Sequence, residues 1–247
     1  TGPGTSTTYT AAELGIAGVN PATTVTVAYG THGELTITDN YLWGSILDAL
    51  INTSNTTNVT INNIVNATVH VGDGNNSITI NDAMRGQVVA GSGDNTISVT
   101  AESNAPSNNL MGITVADGDN TIAFSGGWNA MVSVKTGAGT NQVTFQGQAI
   151  ASVLFGSGND TLIDRTTGPV TATGGGGSNL YEFALGAHAT INNFNPAHDT
   201  IALLGAASGS ATVVASGGST TIDWADGSTL QLVGVTATAA ALHILYG

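Results

Sequence analysis

The stretch "G-S-G-N-D-T-L-I" at residues 156–163 decides the fold. Its two glycines suit a tight turn, and the residues after Asp160 suit a strand. Related stretches start at Gly72 ("G-D-G-N-N-S-I-T-I"), Gly91 ("G-S-G-D-N-T-I-S-V"), Ala116 ("A-D-G-D-N-T-I-A-F"), Gly137 ("G-A-G-T-N-Q-V-T-F") and Gly175. The starts of the six copies are 19, 25, 21, 19 and 19 residues apart. A period of about 20 residues predicts a repeat architecture.

Apolar residues alternate with polar ones on both sides of each turn. Val69 and Val71 precede Gly72, for example, and Ile78 and Ile80 follow it. A period of two places one set of side chains inside and the other outside. Because one such repeat cannot bury its apolar face alone, successive coils must stack. The sequence therefore predicts an all-β protein, a right-handed parallel β-roll or β-solenoid of about six or seven coils.

Three regions differ in their patterning. Residues 1–52 predict an N-terminal cap, formed by a hairpin with its turn near Gly30–Gly33 and a short helix over 40–50, where apolar residues follow a helical spacing. Residues 53–185 hold the solenoid repeats, and the 25-residue spacing reflects an insertion around 100–110. Residues 186–247 predict a closing segment and an antiparallel β cap that ends in a last strand.

The charge composition excludes several partners. The chain of 247 residues has 16 acidic and 3 basic residues, for a net charge of −13. Nucleic acids and anionic membranes need several cations on the protein surface, so neither is an expected partner. No apolar run reaches the length of a membrane-spanning helix, so membrane insertion is not expected. Cysteine is absent, which excludes disulfides and thiolate metal sites.

Residue types that carry catalysis are scarce and scattered. The chain has no G-x-S-x-G nucleophile motif and no cysteine nucleophile. Its five histidines show no metal-ligand spacing, and Lys135 has no convergent partner in the repeat pattern. The sequence therefore predicts that the protein is not an enzyme. The five histidines are His32, His70, His188, His198 and His243.

The repeated turns resemble the nonapeptide G-G-x-G-x-D-x-U-x of RTX (repeats-in-toxin, haemolysin-type) proteins of bacteria. The likeness covers roughly residues 65–235, and "I-N-N-F-N-P-A-H-D-T-I-A-L" at 191–203 resembles the segment that closes many RTX rolls. The resemblance implies a secreted, extracellular or cell-surface location and type I secretion. It also implies Ca²⁺ held between successive turns by the aspartate at the sixth motif position and by backbone carbonyls.

The chain departs from the family at this sixth position, which is asparagine in five of six copies. Two alternatives remain open. The asparagines can form a ladder of hydrogen bonds from coil to coil without any ion. Partial calcium sites can instead use the aspartates, because Ca²⁺ affinity depends on ligand charge. The ladder positions are Asn76, Asn95, Asn120, Asn141 and Asn179, and the candidate calcium ligands are Asp160, Asp199, Asp119, Asp94 and Asp73.

The surface composition points to a structural function. Only 8% of residues are charged, and threonine, asparagine and serine dominate the polar positions, which suits close packing between subunits. The sequence predicts a secreted bacterial subunit of an extracellular filament, surface layer or biofilm matrix, built by self-association of β-solenoids. A polysaccharide or a cell surface is a further candidate partner. The alternative is a non-catalytic calcium-binding RTX module of a larger secreted enzyme, toxin or adhesin.

Overall fold

The computed structural model describes residues 6–10, 24–29, 35–39, 48–53, 58–62, 66–101 and 109–247. Apart from one 3₁₀ turn at Ala239–Ala241, the regular structure within these ranges is strand. No helix among the described residues is long and apolar enough to cross a bilayer. The strands are β1 (Ser6–Thr10), β2 (Thr24–Tyr29), β3 (Leu35–Asp39), β4 (Asp48–Thr53), β5 (Asn58–Asn62), β6 (Asn66–Val71), β7 (Ser77–Ala83), β8 (Arg85–Ala90), β9 (Thr96–Ala101), β10 (Asn109–Val115), β11 (Thr121–Gly126), β12 (Ala130–Lys135), β13 (Gln142–Gly147), β14 (Ile150–Leu154), β15 (Thr161–Thr166), β16 (Pro169–Thr173), β17 (Leu180–Phe183), β18 (His188–Asn192), β19 (Thr200–Leu203), β20 (Thr212–Ser216), β21 (Ser219–Asp223), β22 (Thr229–Val233) and β23 (His243–Tyr246).

These strands form two sheets, and each coil contributes one strand to each sheet. Sheet A has 12 strands in the order β1-β2-β3-β5-β7-β9-β11-β13-β15-β17-β19-β23. Sheet B has 11 strands in the order β20-β21-β22-β18-β16-β14-β12-β10-β8-β6-β4. The chain crosses from one sheet to the other and returns one position further along, and seven consecutive strand pairs, from β5/β6 to β17/β18, repeat this path. The predicted parallel β-solenoid is confirmed.

The alternation seen in the sequence sets the core. In β11, Ile122 and Phe124 are buried while Thr121 is exposed. Parallel register stacks equivalent residues, so that Phe124 lies opposite Phe145 in β13 and Ile122 lies opposite Val143. Each large apolar side chain buried in this way contributes roughly 1.5–3 kcal/mol. The core therefore consists of columns of like residues running along the stack.

The N-terminal hairpin is present, but the helix prediction is wrong where it can be examined. Strands β2 and β3 pair antiparallel, with Val27 opposite Ile37, and the connecting residues 30–34 lie outside the described ranges. Of the predicted helix over 40–50, residues 40–47 also lie outside them. The last three, Asp48–Leu50, belong to β4, which pairs parallel with β6. A ladder of hydrogen bonds to β6 overrides the helical spacing, since a short apolar run fits both periods.

The C-terminal region combines antiparallel and parallel pairing. Strands β20, β21 and β22 form the predicted antiparallel unit, with both residues of the Gly217–Gly218 turn at positive φ. Strand β22 also pairs parallel with β18, and the last strand, β23, pairs parallel with β19. The parallel ladders of both sheets therefore continue past residue 185, because each added strand covers backbone groups that would otherwise be unpaired.

Candidate functional site

A column of buried asparagine side chains runs through the tight turns that lead into sheet A. Asn76 Nδ2 donates to Asn95 Oδ1 at 2.7 Å, and Asn95 Nδ2 donates to Asn120 Oδ1 at 2.9 Å. The next links join Asn120 Nδ2 to Asn141 Oδ1 at 2.9 Å and Asn141 Nδ2 to Asp160 Oδ1 at 2.8 Å. All five residues are at most 2% exposed. We call these residues the asparagine ladder, together with Asn179.

Four of the ladder side chains, those of Asn76, Asn95, Asn120 and Asn141, also donate to carbonyl oxygens of their own turns. Asn95 Nδ2 donates to the carbonyl oxygens of Gly93 at 2.9 Å and Gly91 at 3.1 Å. Asn95 Oδ1 accepts, in addition, the backbone N–H of Asn76 at 3.2 Å. Buried backbone groups need such partners, and a short side chain that bonds to its own turn supplies them. The ladder therefore closes the turns and joins them with protein atoms alone.

No family model, curated protein or solved structure matches this chain. The resemblance to RTX repeats accordingly rests on the motif residues alone, and so do the secretion route and the calcium binding that it implies. What the protein does must be argued from its own geometry.

The ladder changes character where it reaches Asp160. Asp160 Oδ1 accepts the backbone N–H of Asn141 at 2.9 Å, and the backbone N–H of Asp160 donates to Asn179 Oδ1 at 3.0 Å, as in the asparagine turns. The second oxygen, Oδ2, is buried without a hydrogen-bond partner. Burial raises the pKa of Asp160, although hydrogen bonds from Asn141 lower it. Asp160 is thus the one ladder position where an oxygen stands in the place of an amide nitrogen.

Asp199 ends the column differently. Its Oδ1 accepts the backbone N–H of Asn179 at 2.8 Å, and its Oδ2 accepts the backbone N–H of Asn195 at 2.8 Å. Both carboxylate oxygens are therefore engaged by backbone donors. Asn179 separates this residue from Asp160 along the column, so the two carboxylates lie in different turns.

The remaining candidate calcium ligands lie on the exposed edge of the turns. Asp73 Oδ1 accepts the backbone N–H of Ser92 at 2.7 Å, and Asp94 Oδ1 accepts that of Asp119 at 2.9 Å. Asp119 Oδ1 in turn accepts the backbone N–H of Thr140 at 2.7 Å. These carboxylates thus form an outer ladder that joins the first four turns, which start at residues 72, 91, 116 and 137.

The five aspartates are not gathered into one site. Among the described residues, no group of three or more His, Cys, Asp or Glu side chains could hold a metal ion. Ca²⁺ takes six to eight oxygens, so a site here would have to draw mainly on backbone carbonyls around a single carboxylate. The unpartnered Oδ2 of Asp160 is the buried oxygen such a site would use, and partial calcium binding stays a prediction.

Sequence reasoning missed a buried carboxyl group in the core. Asp164 lies in β15, in register with Phe145 on one side and Phe183 on the other, and its exposed fraction is 0%. Asp164 Oδ1 accepts the backbone N–H of Thr166 at 2.9 Å and its hydroxyl at 3.0 Å, while Oδ2 has no partner. The signal was present: Leu162 points inward, and Asp164 stands two residues later.

We expect the protonation of Asp164 to make the stability of the protein depend on pH. Burial raises the pKa of Asp164 to about 6 from 3.8, against the lowering effects of its hydrogen bonds to Thr166 and of the nearby charge of His188. The folded state therefore favours the protonated carboxyl group. The protonated Asp164 therefore stabilises the folded state fully below about pH 4. This contribution to the free energy of unfolding, roughly 3 kcal/mol, is lost as the pH rises through about 6.

Urea unfolding at pH 4 and pH 7.5 checks this expectation. Asp164→Asn should make the free energy of unfolding less dependent on pH and should raise it at pH 7.5, because the amide stays neutral. Asp94→Asn, which removes one exposed charge, is the matched control and should leave the slope between the two pH values nearly unchanged. If the free energy of unfolding changes between the two pH values by the same amount in Asp164→Asn as in the unmodified chain, Asp164 is not the group responsible.

The histidines that the structure describes occupy unrelated positions. His70 lies on the outer side of β6 with its Nε2 buried and unpartnered, and His188 Nδ1 is 3.3 Å from Thr229 Oγ1. His198 lines an open pocket of about 370 Å³ together with Ser178 and three glycines. His243 lies in β23, and His32 is outside the described residues.

Proposed function

We propose that this chain is a structural subunit that self-associates end to end, in an extracellular filament, surface layer or matrix. The observation that carries the proposal is the state of the strand edges. Among the strands that the structure describes, sheet A ends in β1 and β23 and sheet B ends in β4 and β20, so each of these four pairs with a described strand on one side only. Such edges present rows of backbone donors and acceptors that readily pair with another chain.

The two ends of the stack suit a head-to-tail contact. The C-terminal end offers β23 from sheet A and β20 from sheet B, whereas the N-terminal end offers β1 and β4 from the same two sheets. Docking one copy's C-terminal end on another's N-terminal end would continue both sheets. A contact between two different surfaces of this kind does not close on itself and gives an open filament.

Exposed apolar side chains support the C-terminal end as a contact surface. Leu245 in β23 is 57% exposed and Val214 in β20 is 48% exposed. Both stand on edge strands, where natural monomers usually place charged residues or proline. Contacts of these side chains with cross-strand neighbours on the docked copy would add to the backbone hydrogen bonds gained there.

Electron microscopy of the purified chain tests the proposal. We expect filaments or ordered arrays, and we expect Leu245→Lys combined with Val214→Lys to prevent them, because lysines on edge strands disfavour pairing with another chain. Thr121→Lys, on the exposed outer side of sheet A, adds the same charge away from the ends and should leave assembly intact. Stable monomers at high protein concentration, with calcium and with EDTA, would contradict end-to-end association.

The same samples address the second candidate function, a calcium-binding module of a larger secreted protein. The observation that favours it is the unpartnered Oδ2 of Asp160. If that candidate is right, calcium should order the chain by circular dichroism and raise its melting temperature, and Asp160→Asn should abolish the response. An unchanged melting temperature in EDTA would leave the structural function as the better account.

A further inference from the structure

The outer face of sheet B has a charge pattern unlike the rest of the chain. Seven adjacent strands, β6, β8, β10, β12, β14, β16 and β18, contain no aspartate or glutamate, although the chain has 16 acidic residues. The same strands carry Arg85 and Lys135, two of only three Lys and Arg residues in the chain. In a protein of net charge −13, this face is therefore neutral to slightly positive.

Large apolar side chains line up on this face. Leu110 lies opposite Met131, and Met131 lies opposite Ile150, in three adjacent strands. Their exposed fractions are 52%, 39% and 43%. Leu154, opposite Lys135, is 46% exposed, and Trp128, in the turn before β12, is 75% exposed. We call the outward side of β6 to β18 in sheet B, with Trp128, the Met131 face.

A row of this kind is unusual on the surface of an isolated protein. Single exposed apolar residues need no explanation, but a contiguous group of them marks an interaction surface. The strands of sheet B here alternate buried and exposed side chains, so these residues cannot turn inward without a register slip that would expose the core. The apolar row must be covered from outside or remain in water.

The size of the face fits a protein interface. Seven strands spaced about 4.8 Å apart and about six residues long cover roughly 30 Å by 20 Å, or about 600 Å². A specific interface buries about 800 Å² on each partner, so the Met131 face and its margins approach that area. Two cations are too few for a nucleic acid or an anionic membrane, where affinity depends on several charge contacts.

We propose that the Met131 face is the interface between two copies of this chain, packed sheet against sheet. The same patch on both partners forms a two-fold contact, in which the row of Leu110, Met131 and Ile150 meets its own counterpart. Two sheets in such a contact lie about 10 Å apart with their side chains interleaved. Because the face carries no carboxylate, the contact does not force the acidic groups of two negatively charged chains together.

This interface is independent of the end-to-end association proposed above. It uses a face of the solenoid rather than its strand edges, and it closes on two copies rather than propagating. If both contacts exist, the face would pair two filaments side by side. Either contact can fail without the other, so each needs its own measurement.

Light scattering coupled to size-exclusion chromatography tests the proposal. The chain carrying Leu245→Lys and Val214→Lys is used, so that end-to-end contacts contribute no mass. We expect a species of twice the 24.5 kDa chain mass. Adding Met131→Lys and Ile150→Lys should raise the dissociation constant of the dimer at least 30-fold. The control pair, Thr121→Lys and Thr144→Lys on the outer side of sheet A, should leave it unchanged.

A second measurement keeps the test decisive if the lysine variants fold poorly. The chain has no cysteine, so a single Ser133→Cys variant places one thiol at the centre of the Met131 face. A short bis-maleimide should cross-link two copies at least tenfold faster than it does for Ser98→Cys on sheet A, which is also exposed. Equal cross-linking rates would overturn the proposal.

Two further outcomes would overturn it as well. One is a monomer at every protein concentration reached, in a chain that is shown to be folded by circular dichroism. The other is a lysine variant that remains dimeric, which would place the contact elsewhere.

Discussion

Replacing Gly93 with alanine is expected to lower the free energy of unfolding by roughly 3–5 kcal/mol. Gly93 has φ of +127°, a conformation that residues with a side chain rarely adopt. Its Cβ would also lie 2.5 Å from the carbonyl oxygen of Gly74 and 2.7 Å from the carbonyl carbon. Both atoms belong to the backbone of the preceding turn, so the clash can be relieved only by separating two turns.

Separating the turns would break hydrogen bonds on both sides of Gly93. Gly74 N–H donates to the carbonyl of Ser92 at 2.7 Å, and Gly93 N–H donates to that of Asp117 at 2.8 Å. Urea unfolding followed by circular dichroism measures the loss. Gly209→Ala is the matched control, because Gly209 has φ of +73° with nothing within 4 Å of the added Cβ. We expect it to lose only about 1 kcal/mol, and equal losses would show that close stacking of the turns is not the constraint.

Removing a side chain from the middle of the asparagine ladder should be nearly as damaging. Asn120 Oδ1 accepts two hydrogen bonds from Asn95, one from its backbone N–H and one from its Nδ2. Asn120 Nδ2 donates to Asn141 Oδ1 at 2.9 Å and to the Gly118 carbonyl at 2.9 Å. Asn120→Ala removes these four hydrogen bonds and takes from the Asn95 N–H and the Gly118 carbonyl the partners named here. We expect a loss of about 4 kcal/mol, since a hydrogen bond contributes about 1 kcal/mol and a buried group without a partner costs about 1–3 kcal/mol.

An asparagine in an equivalent turn but outside the ladder provides the control. Asn75 Oδ1 accepts a single exposed hydrogen bond, from the backbone N–H of Asp94 at 2.8 Å. Asn75→Ala should therefore lose less than about 1 kcal/mol. If both substitutions have the same small effect, burial of the ladder does not stabilise the turns, and the apolar columns alone hold the coils together.

The sequence predicted the fold well because its signals are local. Glycines that allow a positive φ, the residues that alternate around them and the repeat period were enough to predict stacked parallel coils. The prediction was wrong at Asp48–Leu50, where the apolar spacing fitted a helix and the backbone pairing with β6 produced a strand. Asp164 was overlooked because an acidic residue at an inward position contradicts the pattern that defined the core.

The candidate sites depended more heavily on the structure. The sequence placed asparagine at the same position of five turns, but two arrangements of those residues remained open. Only the stacked turns show that Asn95 Nδ2 reaches both its own Gly93 carbonyl and the next turn's Asn120 Oδ1, 25 residues away. The Met131 face likewise emerged only after register placed Leu110, Met131 and Ile150 side by side.

The sequence by itself determined the tight turns, the inward and outward positions of each strand, and hence the solenoid. Tertiary structure alone decided which side chains meet across turns, where Asp160 and Asp164 keep an oxygen without a donor, and which face carries an apolar row free of carboxylates. The physical reason is the distance along the chain over which each kind of interaction acts. Backbone propensity and alternation act within a few residues, whereas a hydrogen bond between turns requires the register that the whole stack of strands sets.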